Sequence, residues 1–321
     1  MCSSSARINM KHLFTESFHG FSVAMATPRS LPAASHLNGR VIILDLAFAH
    51  GKSIGRFPSI THKLISQLGD RLALFLDHHD SVFHDDFDGN DRFVLANKAE
   101  HGACPEMIDP ALVHRVGPIQ TILCHGDFDG IMSAAKWILG GEEPYPRADH
   151  DAWCIDTRLG IPSEVATRID RALRADPKDG VIKEVILRLL LSRLEDKALW
   201  QKIDQAGELI RDLETQSEAL AQGYQKLSDR VVYLDVCQSG LPFERTHLLL
   251  LGQRQAKIAV LRTEDSVTFA AAFDSGFNFV KLFGLTGGMP TVVSLPHHRL
   301  RGALIQLGIS SPVATSIASE A

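Results

Sequence analysis

The chain has 321 residues, 45% of them hydrophobic and 22% charged, an ordinary globular composition with length for about two domains. A formal net charge of -5 supplies no chain-wide positive field, which argues against long duplex DNA held mainly through its phosphates and leaves a small anionic substrate at a local site. The five cysteines (Cys2, Cys104, Cys124, Cys154 and Cys237) are scattered and form no CxxC pair, so neither a disulfide framework nor a zinc ribbon is expected, and a reducing, cytoplasmic setting is.

Residues 1–38 are rich in Ser, Ala and His and hold no continuous apolar segment. They read as a disordered leader rather than a targeting peptide. Order is expected from Gly39, where Val41 to Leu44 form a β-branched run that ends at Asp45. Helical spacing follows in Ile60, Leu64, Ile65 and Leu68, and a second apolar run, Leu72 to Leu76, ends at Asp77-His78-His79. Strand, helix and strand thus alternate as in a parallel βαβ unit, with acids at strand C-termini, the edge where open parallel sheets bind ligands.

Beyond a solvated acidic turn, Asp85 to Arg92, a third strand-like run, Ile119 to Cys124, leads into His125-Gly126-Asp127-Phe128-Asp129-Gly130 and a helix from about Ile131 to Leu139. Ala152 to Asp156 is strand-like and ends in an acid. Ser163-Glu164 opens a helix carrying Val165, Ile169 and Leu173, which Asp176 to Gly180 closes. The spacing of Leu199, Ile203, Ala206, Ile210 and Leu213 predicts one long or two consecutive helices over Val181 to Leu220. The densest apolar stretch, Val185 to Leu191, is broken by Arg188, well short of the about 20 residues a membrane span needs. After Asp229 the runs Val231 to Leu234, Lys257 to Leu261 and Val267 to Phe273 are strand-like, with a helix over Thr246 to Leu251. The fold class expected is α/β: a parallel-sheet domain over 39–180, a helical connector over 181–228 and a smaller mixed α/β domain over 229–321.

Asp45, Asp77, His78, His79, His125, Asp127 and Asp129 all follow strand-like runs, so one parallel sheet would bring them to a single edge. Carboxylates crowded within a few Å repel one another unless cations neutralise them, which calls for divalent metal. Mixed oxygen and imidazole donors suit Mn²⁺ or Mg²⁺ better than Zn²⁺ where no thiolate is placed to join. Taken singly, any one of these strand-end acids is more often a helix cap or turn former than a ligand.

Leu76-Asp77-His78-His79-Asp80-Ser81 and His125-Gly126-Asp127-Phe128-Asp129-Gly130 resemble two signature motifs of the DHH phosphoesterase superfamily, and Leu44-Asp45 resembles a third. Gly102 to Met107 is similar to the small-residue helix start that follows Asp-His-His in members. The family's Asp-x-Asp strand normally comes first, whereas here it follows Asp-His-His, so the resemblance implies a circularly permuted order. It also implies roles. Asp45, His78, His125, Asp127 and Asp129 would ligate two metal ions, Mn²⁺ foremost, with Asp45 bridging; Asp77 would orient His78, and His79 would face the substrate phosphate. Asp156 is the nearest candidate for the family's fourth acid, with Asp149 and Asp151 competing.

Phe283-Gly284-Leu285-Thr286-Gly287-Gly288-Met289-Pro290 resembles the glycine-rich loop of the DHH-associated C-terminal domain, although Met289 stands where members carry a histidine. Gly287 and Gly288 would then approach substrate. Downstream, His298 and Arg299 supply cationic contacts or form a solvated basic turn. Phe273, Phe277, Phe279 and Phe283 offer either a stacking surface or core. The activity expected is metal-dependent hydrolysis of a phosphodiester in a nucleotide or short single-stranded oligonucleotide. Pyrophosphate or polyphosphate hydrolysis, and a non-catalytic binding protein of the same fold, are the alternatives. No membrane is expected as partner, and a homodimer is left open.

Overall fold

The computed structural model describes residues 13–49 and 56–319. Its first half is a six-stranded sheet with helices on both faces. The strands β1 (Leu13–Phe18) and β2 (Phe21–Ala26) form an antiparallel hairpin, after which come β3 (Val41–Leu44) and β4 (Leu72–Asp77). A two-residue strand β5 (Asp80–Ser81) lies apart from this sheet, which is completed by β6 (Phe93–Leu95) and β7 (Thr121–His125). The order is β1-β2-β7-β3-β4-β6, parallel from β2 onward. Residues of β3 and β4 are buried throughout, which explains their unbroken apolar runs: a parallel sheet is covered on both faces.

The hairpin corrects the expectation of a disordered leader over residues 13–38, while residues 1–12 of that leader lie outside the described residues. Val23 to Ala26 are buried, and β2 pairs with β7 over Ser22 to Ala26. His19 and Gly20 make the turn in left-handed conformation, with φ of +48° and +91°. Two positive-φ residues between paired strands are a hairpin signal, and Phe18 faces Phe21 across the turn.

The helices of this half are α1 (Arg56–Ser59), α2 (Thr61–Leu68), α3 (Pro110–Val116), α4 (Phe128–Ile138), α5 (Ala148–Thr157), α6 (Glu164–Ala175) and α7 (Gly180–Leu191). Leu64 and Leu68 of α2 pack with Phe48, Phe57 and Phe75 on one sheet face. On the other face Ile131, Met132 and Ala135 of α4 pack with Ile186 and Leu190 of α7. The stretch expected to be a strand before Asp156 is instead α5, because Ala148, Ala152 and Ile155 recur at four and three residues and bury one helical face.

The connector is segmented into α7, α8 (Lys197–Glu208) and α9 (Ile210–Ala221). Asp179 and Asp196 each accept two backbone N–H groups and so start α7 and α8 anew. Beyond it, β8 (Gln225–Lys226), β9 (Val231–Asp235), α10 (Arg245–Gln253), β10 (Ile258–Arg262) and β11 (Val267–Ala271) lead to α11 (Phe279–Leu282), β12 (Gly287–Gly288), β13 (Val292–Leu295), α12 (Leu300–Gln306) and α13 (Ser311–Ser319). The second sheet runs β13-β11-β10-β9-β8, with only β9 and β10 parallel. Phe279 and Phe283 are core residues of this half. Among the described residues no helix is long and apolar enough to cross a membrane.

Candidate metal centre

The three motif strands β7, β3 and β4 are adjacent and parallel, with Leu44 level with both Cys124 and Leu76. The residues after them therefore emerge at one edge. Asp45 is wholly buried and adopts φ +56°, a left-handed conformation uncommon outside glycine but tolerated by Asp. Its N–H donates to the Leu76 carbonyl at 2.9 Å, and this kink turns the carboxylate into the cluster.

Around Asp45 stand three imidazoles. His78 Nε2 lies 3.2 Å from Asp45 Oδ1 and 3.3 Å from Asp129 Oδ2. His79 Nδ1 is 3.8 Å from Asp45 Oδ1, and His125 Nδ1 is 3.8 Å from Asp45 Oδ2. Asp127 caps α4, accepting from the Gly130 N–H at 3.2 Å, while its other oxygen is 2.6 Å from His125 Nδ1. The cap and the cluster are thus served by one carboxylate. Gly130 is required there, since a Cβ would stand 2.5 Å from the His125 carbonyl oxygen. The donor atoms fall into three groups close enough to share an ion: Asp45-His78-His79, Asp45-His125-Asp127 and His78-Asp129-Asp156.

The residues fit a divalent ion. Both Asp45 oxygens are buried without a well-formed hydrogen bond, the nearest nitrogen being His78 Nε2 at 3.2 Å from Oδ1, a costly state for a carboxylate that a cation would relieve. Burial, with the charges of Asp129 and Asp127, pushes the Asp45 pKa well above its ordinary value, against the pull of His78. Burial opposes charge on His125, but the Asp127 carboxylate outweighs it and raises the imidazole to about 9. Asp127 is correspondingly held low by His125 despite its own desolvation. Oxygen-rich donors with imidazole suit Mn²⁺ or Mg²⁺.

Asp156 joins the cluster from α5, whereas its rivals are engaged elsewhere: Asp149 pairs with Lys136 at 2.5 Å, and Asp151 accepts from the N–H and hydroxyl of Ser163. Asp77 corrects an expectation. Its Oδ1 is 2.9 Å from His79 Nδ1, not from His78, whose Nδ1 meets the His101 carbonyl at 2.9 Å. Side chains alternate along an extended chain, so positions 77 and 79 share a side and 78 faces the other way.

Sequence reasoning missed Lys98, which is 2% exposed. It ion-pairs with Asp156 and places Nζ 2.9 Å from His78 Nε2. Burial disfavours its charge, but Asp156, Asp129 and Asp45 outweigh that and hold its pKa above the usual lysine value. Asp129 and Asp45 also raise His78, against its burial, to about 11. A proton on Nε2 and the Lys98 contact are alternatives, because that nitrogen offers either one hydrogen or one lone pair.

Gly287 and Gly288 pair as β12 with Asp80 and Ser81 of β5, directly after Asp-His-His. A Cβ on Gly287 would meet the Asp80 carbonyl oxygen at 2.5 Å, so close approach of backbone to backbone explains the glycine. Arg299 donates to the Phe283 carbonyl at 2.6 Å, and neither it nor His298 lines the two cavities beside the cluster. Those cavities measure about 310 and 290 Å³ and share Asp156, Arg158 and Thr246. The larger also exposes His79, Phe273 and Met289, and the smaller Asp127, Arg174 and Arg245.

No protein-family model and no curated protein matches the chain. Two solved structures are similar in chain trace, each at 12% identity: a pGpG-specific phosphodiesterase, PggH from Vibrio cholerae, with a TM-score of 0.39 over 88% of this chain and 100% of that one, and the exonuclease RecJ bound to manganese, with a TM-score of 0.44 over 88% of this chain and 77% of that one.

Proposed function

We propose that this protein is a DHH-type phosphoesterase that uses divalent metal, Mn²⁺ foremost, to hydrolyse a phosphodiester in a nucleotide or short oligonucleotide. The observation that carries the reading is the convergence of Asp45, His78, His125, Asp127 and Asp129 from three parallel strands on one edge that opens into the cavities. On this reading the permuted motif order is harmless, since β7, β3 and β4 need only be neighbours for their end residues to meet.

Asp45, His125, Asp127, His78, Asp129 and Asp156 would hold the metal. Divalent metal held there would supply activation of water and neutralisation of charge on the phosphoryl oxygens. Asp77 holds His79 by Nδ1, which leaves Nε2 of this cavity-lining side chain to donate to, or accept from, a phosphoryl group. Arg158, which lines both cavities and pairs with Asp170 at 3.4 Å, would offer its guanidinium to the phosphate. Phe273, Leu249, Leu250 and Ala272 make the larger cavity substantially apolar. An apolar wall favours a base-bearing substrate over pyrophosphate or polyphosphate, which carry nothing to bury there.

The test is a panel of a short single-stranded RNA, a dinucleotide, an aryl phosphodiester, pyrophosphate and polyphosphate, each assayed with Mn²⁺, Mg²⁺ and EDTA. Metal-restored cleavage of the nucleotide substrates is expected. Undiminished cleavage after exhaustive chelation, or turnover of pyrophosphate alone, overturns the assignment.

A further inference from the structure

Helix α10 turns one face to the larger cavity. Thr246, Leu249, Leu250 and Gln253 all line it, at the three- and four-residue spacing that puts side chains on a single helical face. The rest of the helix is pinned: Leu248 is wholly buried in a core with Ala259 and Leu261 of β10, and its carbonyl accepts from the Tyr224 hydroxyl at 2.9 Å. A rise of 1.5 Å per residue sets Gln253 about 10 Å along the axis from Thr246. The two ends of the face differ in chemistry. Thr246 stands where both cavities meet, beside Asp156 and Arg158, and the cavity's charged lining groups, these two and His79, belong to that end. Toward Gln253 the walls are Leu249, Leu250 and the run Ala270 to Phe273, whose three successive alanines leave depth that larger side chains would fill. Among the described residues the Gln253 carboxamide has no hydrogen-bond partner, whereas Gln255 donates to the Ala221 carbonyl at 3.2 Å.

We infer that this cavity is an adenine pocket, in which Leu249, Leu250 and Phe273 take the faces of the base and Gln253 reads its edge. The inference rests on the phosphodiesterase reading above and names the base that reading leaves open. A carboxamide presents an acceptor beside donors, and adenine answers with N6–H beside N7. Guanine does not match: its O6 and N7 are two acceptors, best met by Arg or Lys, and its N1–H and N2–H are two donors, best met by a carboxylate. Neither a cation nor an acid lines the cavity at the Gln253 end. A pyrimidine also offers a donor beside an acceptor, but it is one ring shorter along a face of about 10 Å and buries less apolar surface. With the wrong base the amide is left desolvated and unpaired, which is how one polar group in an apolar slot discriminates.

The experiment is steady-state kinetics of the full chain with Mn²⁺ on the dinucleoside monophosphates ApA, GpG, CpC and UpU, paired with calorimetric binding of AMP and GMP. The wild type is expected to favour ApA over GpG in kcat/KM, and AMP over GMP in Kd, by about 10- to 100-fold, the discrimination typical of a bidentate amide–base pair. Gln253→Leu is expected to level both ratios, chiefly through the KM for ApA. Gln253→Glu, which offers two acceptors, is expected to turn them toward guanine through its N1–H and N2–H. A wild type in which ApA does not lead the other three, or an adenine preference that survives Gln253→Leu, overturns the inference while leaving phosphodiester hydrolysis standing. Turnover of none of the four, with AMP and GMP both unbound, overturns the nucleotide reading as well. Should Gln253→Leu fail to fold, the wild-type ratios and Gln253→Glu decide.

Discussion

Replacing Asp45 by Asn should have effects of opposite sign on stability and on function. The substitution keeps the shape and the left-handed backbone at φ +56°, which Asn tolerates and which alanine would strain. Without metal, the carboxylate is fully buried, has no well-formed hydrogen bond on either oxygen and is repelled by Asp129 and Asp127; burial and these charges together outweigh the pull of His78. A folded-state pKa raised above the unfolded value means that ionised Asp45 opposes folding once the pH exceeds the unfolded value of about 4. Removing the charge should then recover roughly the cost of an unsatisfied buried group, about 1–3 kcal/mol, or a few degrees of Tm at about 2–4 °C per kcal/mol. With Mn²⁺ present the wild type should gain Tm and the variant should not, since Asp45 belongs to two of the three donor groups. Turnover should fall by at least ~10²-fold, about 2.7 kcal/mol. Paired melting curves in EDTA and in Mn²⁺ decide it. A variant that melts below wild type in EDTA and still gains Tm with Mn²⁺ would show that Asp45 only shapes the turn after β3.

Metal uptake at pH 7 should release protons, because His125 is held at about 9 in the metal-free protein and must shed its proton to ligate; affinity should therefore rise with pH toward 9. Calorimetric titrations in buffers of different ionisation enthalpy read this, and heats independent of buffer would contradict it. Arg158→Gln should raise KM about 10- to 100-fold with smaller change in kcat, the loss expected for a charged hydrogen bond of about 1.5–3 kcal/mol to substrate phosphate; steady-state kinetics on the best substrate is the check. Gly287→Val should cost about 1–3 kcal/mol, since its Cβ would meet a backbone oxygen at 2.5 Å that has little room to yield. A wild-type melting temperature for that variant would show that β5 and β12 do not hold each other.

The strand ends that make the cluster were legible because each closes an apolar run: Val41 to Leu44, Leu72 to Leu76 and Ile119 to Cys124 announce Asp45, Asp77 and His125 by position alone. Asp156 was named but misplaced, since a short run of Ala, Cys and Ile carries no period that separates a buried helix face from a strand. The N-terminal hairpin was hidden by its Ser-rich flank, although Phe18-His19-Gly20-Phe21 carried a turn signal. Lys98 had no signal at all. A single lysine in a turn after a three-residue strand is ordinarily solvated, and only the fold brings it against His78. The partner of Asp77 was legible in principle from the two-residue alternation that sets 77 beside 79.

The pairing of Gly287 and Gly288 with Asp80 and Ser81 ties the second half of the chain to the residues immediately after His79. Halves of the chain joined at such a point should not unfold as separate events. Loss of the distant core frees the segment that keeps His78 and His79 in register, and an ion gripped by the first half is linked through that segment to the melting of the second. Calorimetry should therefore show one transition that moves as a whole when metal is added, and amide protons of β9 to β11 should exchange more slowly in Mn²⁺ although none of those strands supplies a donor to the cluster.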